Sequence, residues 1–290
     1  MKITAKIFLY GIYAVAAVVF FLYYLFPSEI IGDLLMERIS QTQPDLQLTT
    51  DKVYPTLFPP GLKLQPVSVA YADMPILKSE RLAIVPSLFS LLSNQKEFTF
   101  SGPLKSGHFK GHAELTMDGK RIQSKITMNL ETVPVEVMEI LKQWPQYQAS
   151  GEMNAFLDYN SRTSGSGTAK VRLDITPARI VLNPPVMGLE QLDFSQIQAE
   201  LTLTPRMLQI RRLEGGGNQL ESRLSGSILF RQPLENSRLT LSCTVKPQPA
   251  FAAEHKNDML GGLLASSAAQ KRGLVFRISG TIGNPQYVIR

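Results

Sequence analysis

The chain of 290 residues has one cysteine, three histidines and one tryptophan. Cys243 has no partner for an internal disulfide, so the fold has to be held together by its hydrophobic core. Because Cys243 alternates with apolar residues, it is typical of a small buried hydrophobic side chain rather than of a nucleophile.

The histidines do not predict a metal site. His108 and His112 lie among glycines and alternating residues that indicate a strand, where residues four apart stand about 13 Å from each other, too far to share an ion. The glycine runs at 165–167 and 215–217 are not followed by Gly-Lys-Ser/Thr, so they indicate turns rather than phosphate loops. No Ser-His-Asp arrangement is evident, and we expect no cofactor and no enzymatic activity.

Clusters of basic residues are also missing. The net charge is +6, but the positive residues are spread along the chain and the longest basic pairs are Arg211-Arg212 and Lys271-Arg272. A nucleic-acid-binding surface requires a basic stripe with aromatic platforms. We therefore expect no nucleic-acid partner.

One long hydrophobic run is present, from Ile7 to Phe26, and it contains no charged residue. Twenty helical residues span about 30 Å, the thickness of the bilayer core. The run exceeds a signal-peptide core and no small-residue cleavage site follows, which favours an uncleaved anchor over a cleavable signal peptide. Since Lys2 and Lys6 precede the run, the positive-inside rule predicts a cytoplasmic tip over 1–6 and an exported domain over 51–290.

Short helices are predicted at three further places. Ile31, Leu34, Leu35 and Ile39 recur at helical spacing, which predicts an amphipathic helix over Ser28–Thr42, within a connector over 27–50. The spacing of apolar residues between Pro134 and Trp144 predicts a second helix. One helical turn is predicted within Pro86–Ser93.

Most other segments alternate with a period of two, which predicts antiparallel strands with one apolar and one polar face. The candidates for binding lipid or a partner are the apolar residues of three such strands: Val171, Leu173, Ile175, Leu239, Leu241, Val245, Phe276 and Ile278.

The turns favour a serial meander. Asp118-Gly119 is a strong hairpin signal, and the stretches 160–167 and 215–217 separate further strands. The predicted fold is mainly β: an N-terminal transmembrane helix over 7–26 and a curved antiparallel sheet with two or three short helices. The sheet either folds over on itself as a trough or leaves its apolar face open, and periodicity does not decide between the two.

One segment interrupts the β pattern. Residues 254–273 contain a short apolar run with Met259, Leu260, Leu263 and Leu264, followed by small residues and Lys271-Arg272. It is interpreted as a loop or short helix that caps the sheet, with a docking segment for a membrane or a partner as the alternative. The run is too short to span a bilayer.

Several motifs resemble a known family. Tyr54-Pro55, the segment 58–64 (FPPGLKL), the segment 87–92 (SLFSLL) and the ending 278–285 (ISGTIGNP) are similar to those of AsmA-like envelope proteins, and the layout is most similar to the type II secretion system protein N branch. The resemblance implies an AsmA-like sheet in the periplasm, a single-pass protein of a Gram-negative inner membrane, and no catalytic residues.

Two functions follow as hypotheses. The first is a non-enzymatic component of the type II protein secretion apparatus, with other secretion-system proteins or the outer-membrane secretin as partners. The alternative is an AsmA-like module that binds or transfers phospholipid in outer-membrane biogenesis.

Overall fold

The computed structural model describes residues 2–42, 46–71, 74–118, 121–143, 147–163, 166–186, 189–254 and 272–289. Its first element is helix α1 (Lys2–Tyr24), which a turn at Leu25 and Pro27 separates from helix α2 (Ser28–Thr42). The predicted bounds of the amphipathic helix are confirmed. The predicted connector over 27–50 comprises α2 and the start of the first strand. Among the described residues, no helix was found with both the length and the apolarity needed to cross a membrane.

The rest is a single antiparallel sheet, as the alternation predicts. The strands are β1 (Leu46–Leu57), β2 (Pro60–Tyr71), β3 (Met74–Ser79), β4 (Leu82–Pro86), β5 (Gln95–Leu104), β6 (Gly107–Asp118), β7 (Arg121–Pro134), β8 (Tyr147–Thr163), β9 (Ser166–Val186), β10 (Leu189–Phe194), β11 (Gln196–Thr204), β12 (Met207–Gly216), β13 (Leu220–Leu229), β14 (Arg238–Pro247), β15 (Leu274–Gly280) and β16 (Pro285–Ile289). A third helix, α3 (Pro249–Glu254), follows β14.

The strands pair almost entirely in chain order, so the meander prediction is confirmed. At two places in the sheet, two short strands together occupy the position of one long strand. β3 and β4 both pair with β2, one after the other along its length, and β10 and β11 both pair with β9 in the same way. The result is one curved, open sheet that runs from β1 to β16.

The hydrophobic core has two clusters. The larger one contains Val53, Leu64, Leu104 and Val133, each at most 2% exposed, and Ile31 of α2 packs against it. The smaller one is built around Ala178, Phe194, Ile197 and Leu220. The first cluster stabilises the N-terminal half of the sheet, and the second lies where β10 folds back on β9.

The prediction of one helix between Pro134 and Trp144 is wrong for the residues that the structure describes there. Two short 3-10 turns, Val135–Val137 and Glu139–Gln143, stand there instead. The backbone of Met138 is extended between them (φ −70, ψ 108). This break lets Val135, Val137 and Leu141 pack against the larger core cluster, which one straight helix face would not permit. The turn predicted within Pro86–Ser93 is a 3-10 turn at Ser90–Leu92.

The glycine- and serine-rich stretch at 160–167 is predicted to separate two strands, but its residues 160–163 and 166–167 belong to β8 and β9. Asn160 pairs with Thr168 and Thr163 with Ser166, so the pairing of the two strands extends into the stretch. The ring of Tyr159 lies over Gly167, where any side chain would overlap it. An aromatic residue that covers a glycine on the neighbouring strand keeps such a glycine within a sheet.

Candidate binding surface

A continuous row of apolar positions crosses the sheet from β2 to β16. Residues that face each other in an antiparallel pair lie on the same side of the sheet, so the register defines the row. Its members, which we call the central apolar row, are Leu62, Ile84, Phe100, Gly111, Met128, Leu157, Val171, Leu201, Ile210, Gly226, Leu241, Ile278 and Tyr287.

A second row runs beside it on the same face, two residues away along each strand except β12, where a bulge makes the separation three residues. From β8 to β16 it contains Ala155, Leu173, Ala199, Leu213, Leu224, Cys243, Phe276 and Ile289. The structure therefore brings the predicted apolar residues onto one face: Val171, Leu241 and Ile278 lie in the central apolar row, and Leu173 and Phe276 lie in the second row.

The remaining predicted residues extend the same face. Ile175 pairs with Met153 and Ile197, Leu239 pairs with Ile228, and Val245 pairs with Leu274. All eight predicted residues are half-buried, neither enclosed nor open to solvent. This degree of burial is typical of a curved sheet whose strands shade one another without a second layer packed on them.

The burial differs along the row. Ile84, Phe100 and Met128 pack against the larger core cluster. Leu157, Val171, Leu201, Leu241 and Ile278 belong to neither described core cluster and are half-buried. We call these five residues the open apolar section, because none of them packs against either core cluster. Ile210, which stands between Leu201 and Leu241 in the row, is buried and is not part of this section.

Cys243 lies at the edge of this section, opposite Leu224 and Phe276. The predicted apolar surroundings of Cys243 are confirmed, and its side chain is partly buried. Burial raises the pKa of the Cys243 thiol, so the thiolate that a nucleophile requires is disfavoured.

The opposite face of the same strands is polar, and its charged side chains form hydrogen bonds and ion pairs with their neighbours on that face. Asp174 accepts hydrogen bonds from Gln196, from Gln198 (3.1 Å) and from Thr176 (2.9 Å). Glu214 pairs with Arg212 and with Arg223, whose Nε lies 3.2 Å from Oε1. The Arg212 hydrogen bond lowers the pKa of Glu214.

A shallow groove of about 630 Å³ runs over this polar face. The Arg172 guanidinium lies 5.3 Å from the centre of the Phe156 ring in this groove. The other polar residues that line it are Asn129, Glu131, Asn154, Asp174, Gln198, Glu200 and Arg212. Three acidic and two basic side chains line the groove, so charges of both signs stand side by side there. It contains no arrangement of a nucleophile beside a base.

His108 and His112 lie on β6, so the strand prediction is confirmed. Each faces a carboxylate: His108 Nε2 is 3.3 Å from Glu131 Oε2, and His112 Nε2 is 3.6 Å from Glu114 Oε1. Over the described ranges, no group of three or more His, Cys, Asp or Glu residues is placed to hold a metal ion.

The other predicted surface, with Met259, Leu260, Leu263 and Leu264, lies outside the described residues. Sequence reasoning missed Leu157, Leu201 and Ile210. The first two do alternate with polar residues in FLDYN and ELTLT, so the signal was present. Ile210 is hidden by a bulge, because the register shifts by one residue between Glu200 and Leu201.

Comparisons with protein-family models, with curated proteins and with solved structures found no significant match.

Proposed function

We propose that this chain is a non-enzymatic inner-membrane component of the type II protein secretion apparatus, with a β domain in the periplasm that binds other proteins of the apparatus or the outer-membrane secretin. Two things support it: the resemblance of the motifs at 54–64, 87–92 and 278–285 to the protein N branch, and the architecture of one antiparallel sheet.

The proposed membrane anchor is the apolar part of α1. The run Ile7–Phe26 contains no charge, and most of it lies in a helix of 23 residues. Phe8, Tyr13 and Phe20 are each more than 60% exposed, so no described part of the protein covers them. The anchor is proposed on the sequence of this run. Lys2 and Lys6 orient the N-terminus to the cytoplasm.

The observation that carries the interaction role is the sheet edge at β16, along which no other described strand pairs. This strand pairs on one side with β15 and ends the order of the sheet. Tyr287, Val288 and Ile289 are 59, 54 and 41% exposed. A sheet edge with unpaired backbone groups and apolar side chains can accept a strand from a partner protein.

Gene deletion with complementation tests the role. We expect secreted enzymes to accumulate in the periplasm of the deletion strain and the wild-type chain to restore secretion. A Val288→Lys chain should fail to restore it, because a charge on an edge strand opposes strand addition. Thr168→Lys, on an exposed position of the interior strand β9, is the matched control and should restore secretion. Normal secretion in the deletion strain would refute the proposal.

The second candidate is a lipid-binding module of the AsmA type, and the open apolar section favours it. The central apolar row is roughly 55–60 Å long, counted as twelve strand spacings of about 4.8 Å. Acyl chains match such a surface because they need no hydrogen-bond partner. A domain of this length can hold a lipid but would not by itself bridge two membranes.

Binding of a fluorescent phospholipid to the detergent-purified full chain tests the second candidate. Leu173→Glu and Leu241→Lys each place a charge on the apolar face and should abolish binding. Thr240→Lys, which lies beside Leu241 on the polar face, should leave binding unchanged. Equal binding by all three variants would remove the lipid proposal and leave the secretion proposal unaffected.

A further inference from the structure

The most exposed large apolar side chains of the sheet domain lie in two short segments. Phe58 at the β1–β2 turn is 96% exposed, and Phe89 and Leu92 in the β4–β5 connection are 92% and 95% exposed. Leu57 and Leu88 beside them are also exposed. We call these five residues the apolar tip. Contiguous exposed apolar surface of this kind marks an interaction site on soluble or peripheral domains.

The two segments are neighbours at one end of the sheet. Leu62 of β2 faces Ile84 of β4, and a side chain on Gly61 would overlap the Ile84 carbonyl oxygen. The same antiparallel register brings the β1–β2 turn, just before Gly61, alongside the segment that follows β4. The two segments of the tip therefore lie next to each other.

Hydrogen bonds hold the apolar tip in place. The backbone N–H of Ser87 donates to the backbone carbonyl of Glu97 (2.9 Å), and the Ser90 hydroxyl donates to the Ser87 carbonyl (2.7 Å). Ser90 is buried and also accepts from the backbone N–H of Glu97 (2.9 Å). At the β1–β2 turn, the Thr56 hydroxyl donates to the Pro59 carbonyl (3.0 Å). Because Ser90 points inward, Phe89 and Leu92 remain outside.

The end of α1 lies towards the same end of the sheet. A side chain on Gly32 of α2 would come within 3.3 Å of Val53 of β1, and only three residues separate the end of α2 from the start of β1. These two constraints make α2 and β1 run antiparallel. The start of α2 therefore points towards the β1–β2 turn, which is about 17 Å from Val53 along the strand. Phe26, two residues before α2, packs against the larger core cluster.

Basic residues line the same rim of the sheet. Since successive strands alternate in direction, the β11–β12 turn and the β13–β14 connection lie at the end that bears the apolar tip. They contribute the exposed residues Arg206 and Arg231 beside Glu235, and the exposed Arg238 is the first residue of β14. Basic residues near a bilayer surface are attracted to anionic headgroups.

We propose that the apolar tip inserts into the headgroup boundary of the same bilayer that holds α1, as a second membrane contact. The inference rests on the proposed anchor. Aromatic and leucine side chains that enter this boundary are typical of interfacial membrane binding. The rim of the sheet then lies on the membrane surface, and the apolar face begins beside the lipid.

Depth-dependent quenching in nanodiscs tests this inference with the full chain. On a Cys243→Ala background, a solvatochromic dye is attached at Phe58→Cys or at Phe89→Cys. The control position is Ser106→Cys, in the exposed β5–β6 turn at the opposite end of the sheet. The discs contain phosphatidylethanolamine and phosphatidylglycerol, with brominated lipid as the quencher, and circular dichroism verifies the fold of each variant.

We expect a blue-shifted, quenched dye at 58 and at 89 and an aqueous, unquenched dye at 106. If the chain stays in the discs and the dyes at 58 and 89 behave like the dye at 106, the second contact is refuted and the anchor stands. If the chain does not remain with the discs, both the anchor and the second contact are refuted.

Discussion

Leu157 of β8 lies directly opposite Val171 of β9 on the apolar face, and both side chains are half-buried although neither belongs to a core cluster. Met128 and Leu201 flank the pair on the adjoining strands. The pair is the start of the open apolar section, where the sheet retains an apolar surface that its own described core does not cover.

A charge at this point should be costly. We expect Val171→Glu to lower the free energy of unfolding by about 1–3 kcal/mol, because the carboxylate is placed among half-buried apolar groups without a partner. Thr168→Glu, at an exposed position of the same strand, should stay within about 0.5 kcal/mol. Denaturant titration followed by circular dichroism measures both, and equal stability of the two variants would contradict the half-buried placement of Val171.

Gly111 is expected to tolerate no side chain. A Cβ there would overlap the Phe100 ring and lie 2.7 Å from the Thr127 carbonyl oxygen. Since the backbone oxygen cannot move cheaply, Gly111→Ala should cost about 1–3 kcal/mol of stability. Gly216→Ala is the matched control, because a Cβ there meets nothing within 4 Å. An unchanged melting temperature for Gly111→Ala would show that β5 and β6 are less closely packed than described.

The reactivity of Cys243 should follow its raised pKa. At a given pH a smaller fraction of Cys243 is thiolate than of a free cysteine, so its alkylation should be slow. The alkylation rate should increase with pH, and the midpoint of that increase should lie at a higher pH in the folded chain than in the denatured chain. The stabilising contribution of the protonated thiol is fully present below the unfolded-state pKa and is lost as pH rises through the folded-state pKa. Alkylation by iodoacetamide, timed with and without denaturant, measures this. Identical pH profiles would place Cys243 in solvent.

Asp174 should show the opposite shift. Partial burial raises its pKa, but hydrogen bonds from Gln198, Thr176 and Gln196 outweigh that effect and hold the pKa below its usual value. The stability contribution of the carboxylate is present above the unfolded-state pKa and is lost as pH falls through the folded-state pKa. We expect Gln198→Ala to raise the pKa of Asp174 in an NMR titration of labelled aspartate. An unchanged pKa would mean that Gln198 does not hold the carboxylate.

The sequence predicted the strands better than their connections. Period-two alternation placed β9, β14 and β15 and the face of their apolar residues, because one wet and one dry side impose that pattern on any antiparallel sheet. Alternation could not predict the central apolar row, because the row depends on the register between neighbouring strands. The register shift between Glu200 and Leu201 leaves no recognisable pattern in the local sequence.

Two connections were misread for physical reasons. The composition of 160–167 favours a connection between strands, but backbone pairing extends β8 to Thr163 and starts β9 at Ser166, and the Tyr159 ring covers Gly167. The helical spacing after Pro134 matched a single helix, but burial of Val135 in the core favours two 3-10 turns. The apolar tip also had no predicted role, because exposure of Phe58 and Phe89 is set by tertiary structure and not by periodicity.

The open apolar section as a binding surface is tested most directly by photocrosslinking in cells. A photoreactive phenylalanine analogue replaces Leu201 on the apolar face or its neighbour Thr202 on the polar face of the full chain. We expect adducts with phospholipid or with a partner protein at 201 and not at 202, identified by mass spectrometry. No adduct at 201, or equal adducts at both positions, would contradict the assignment of this face as the binding surface.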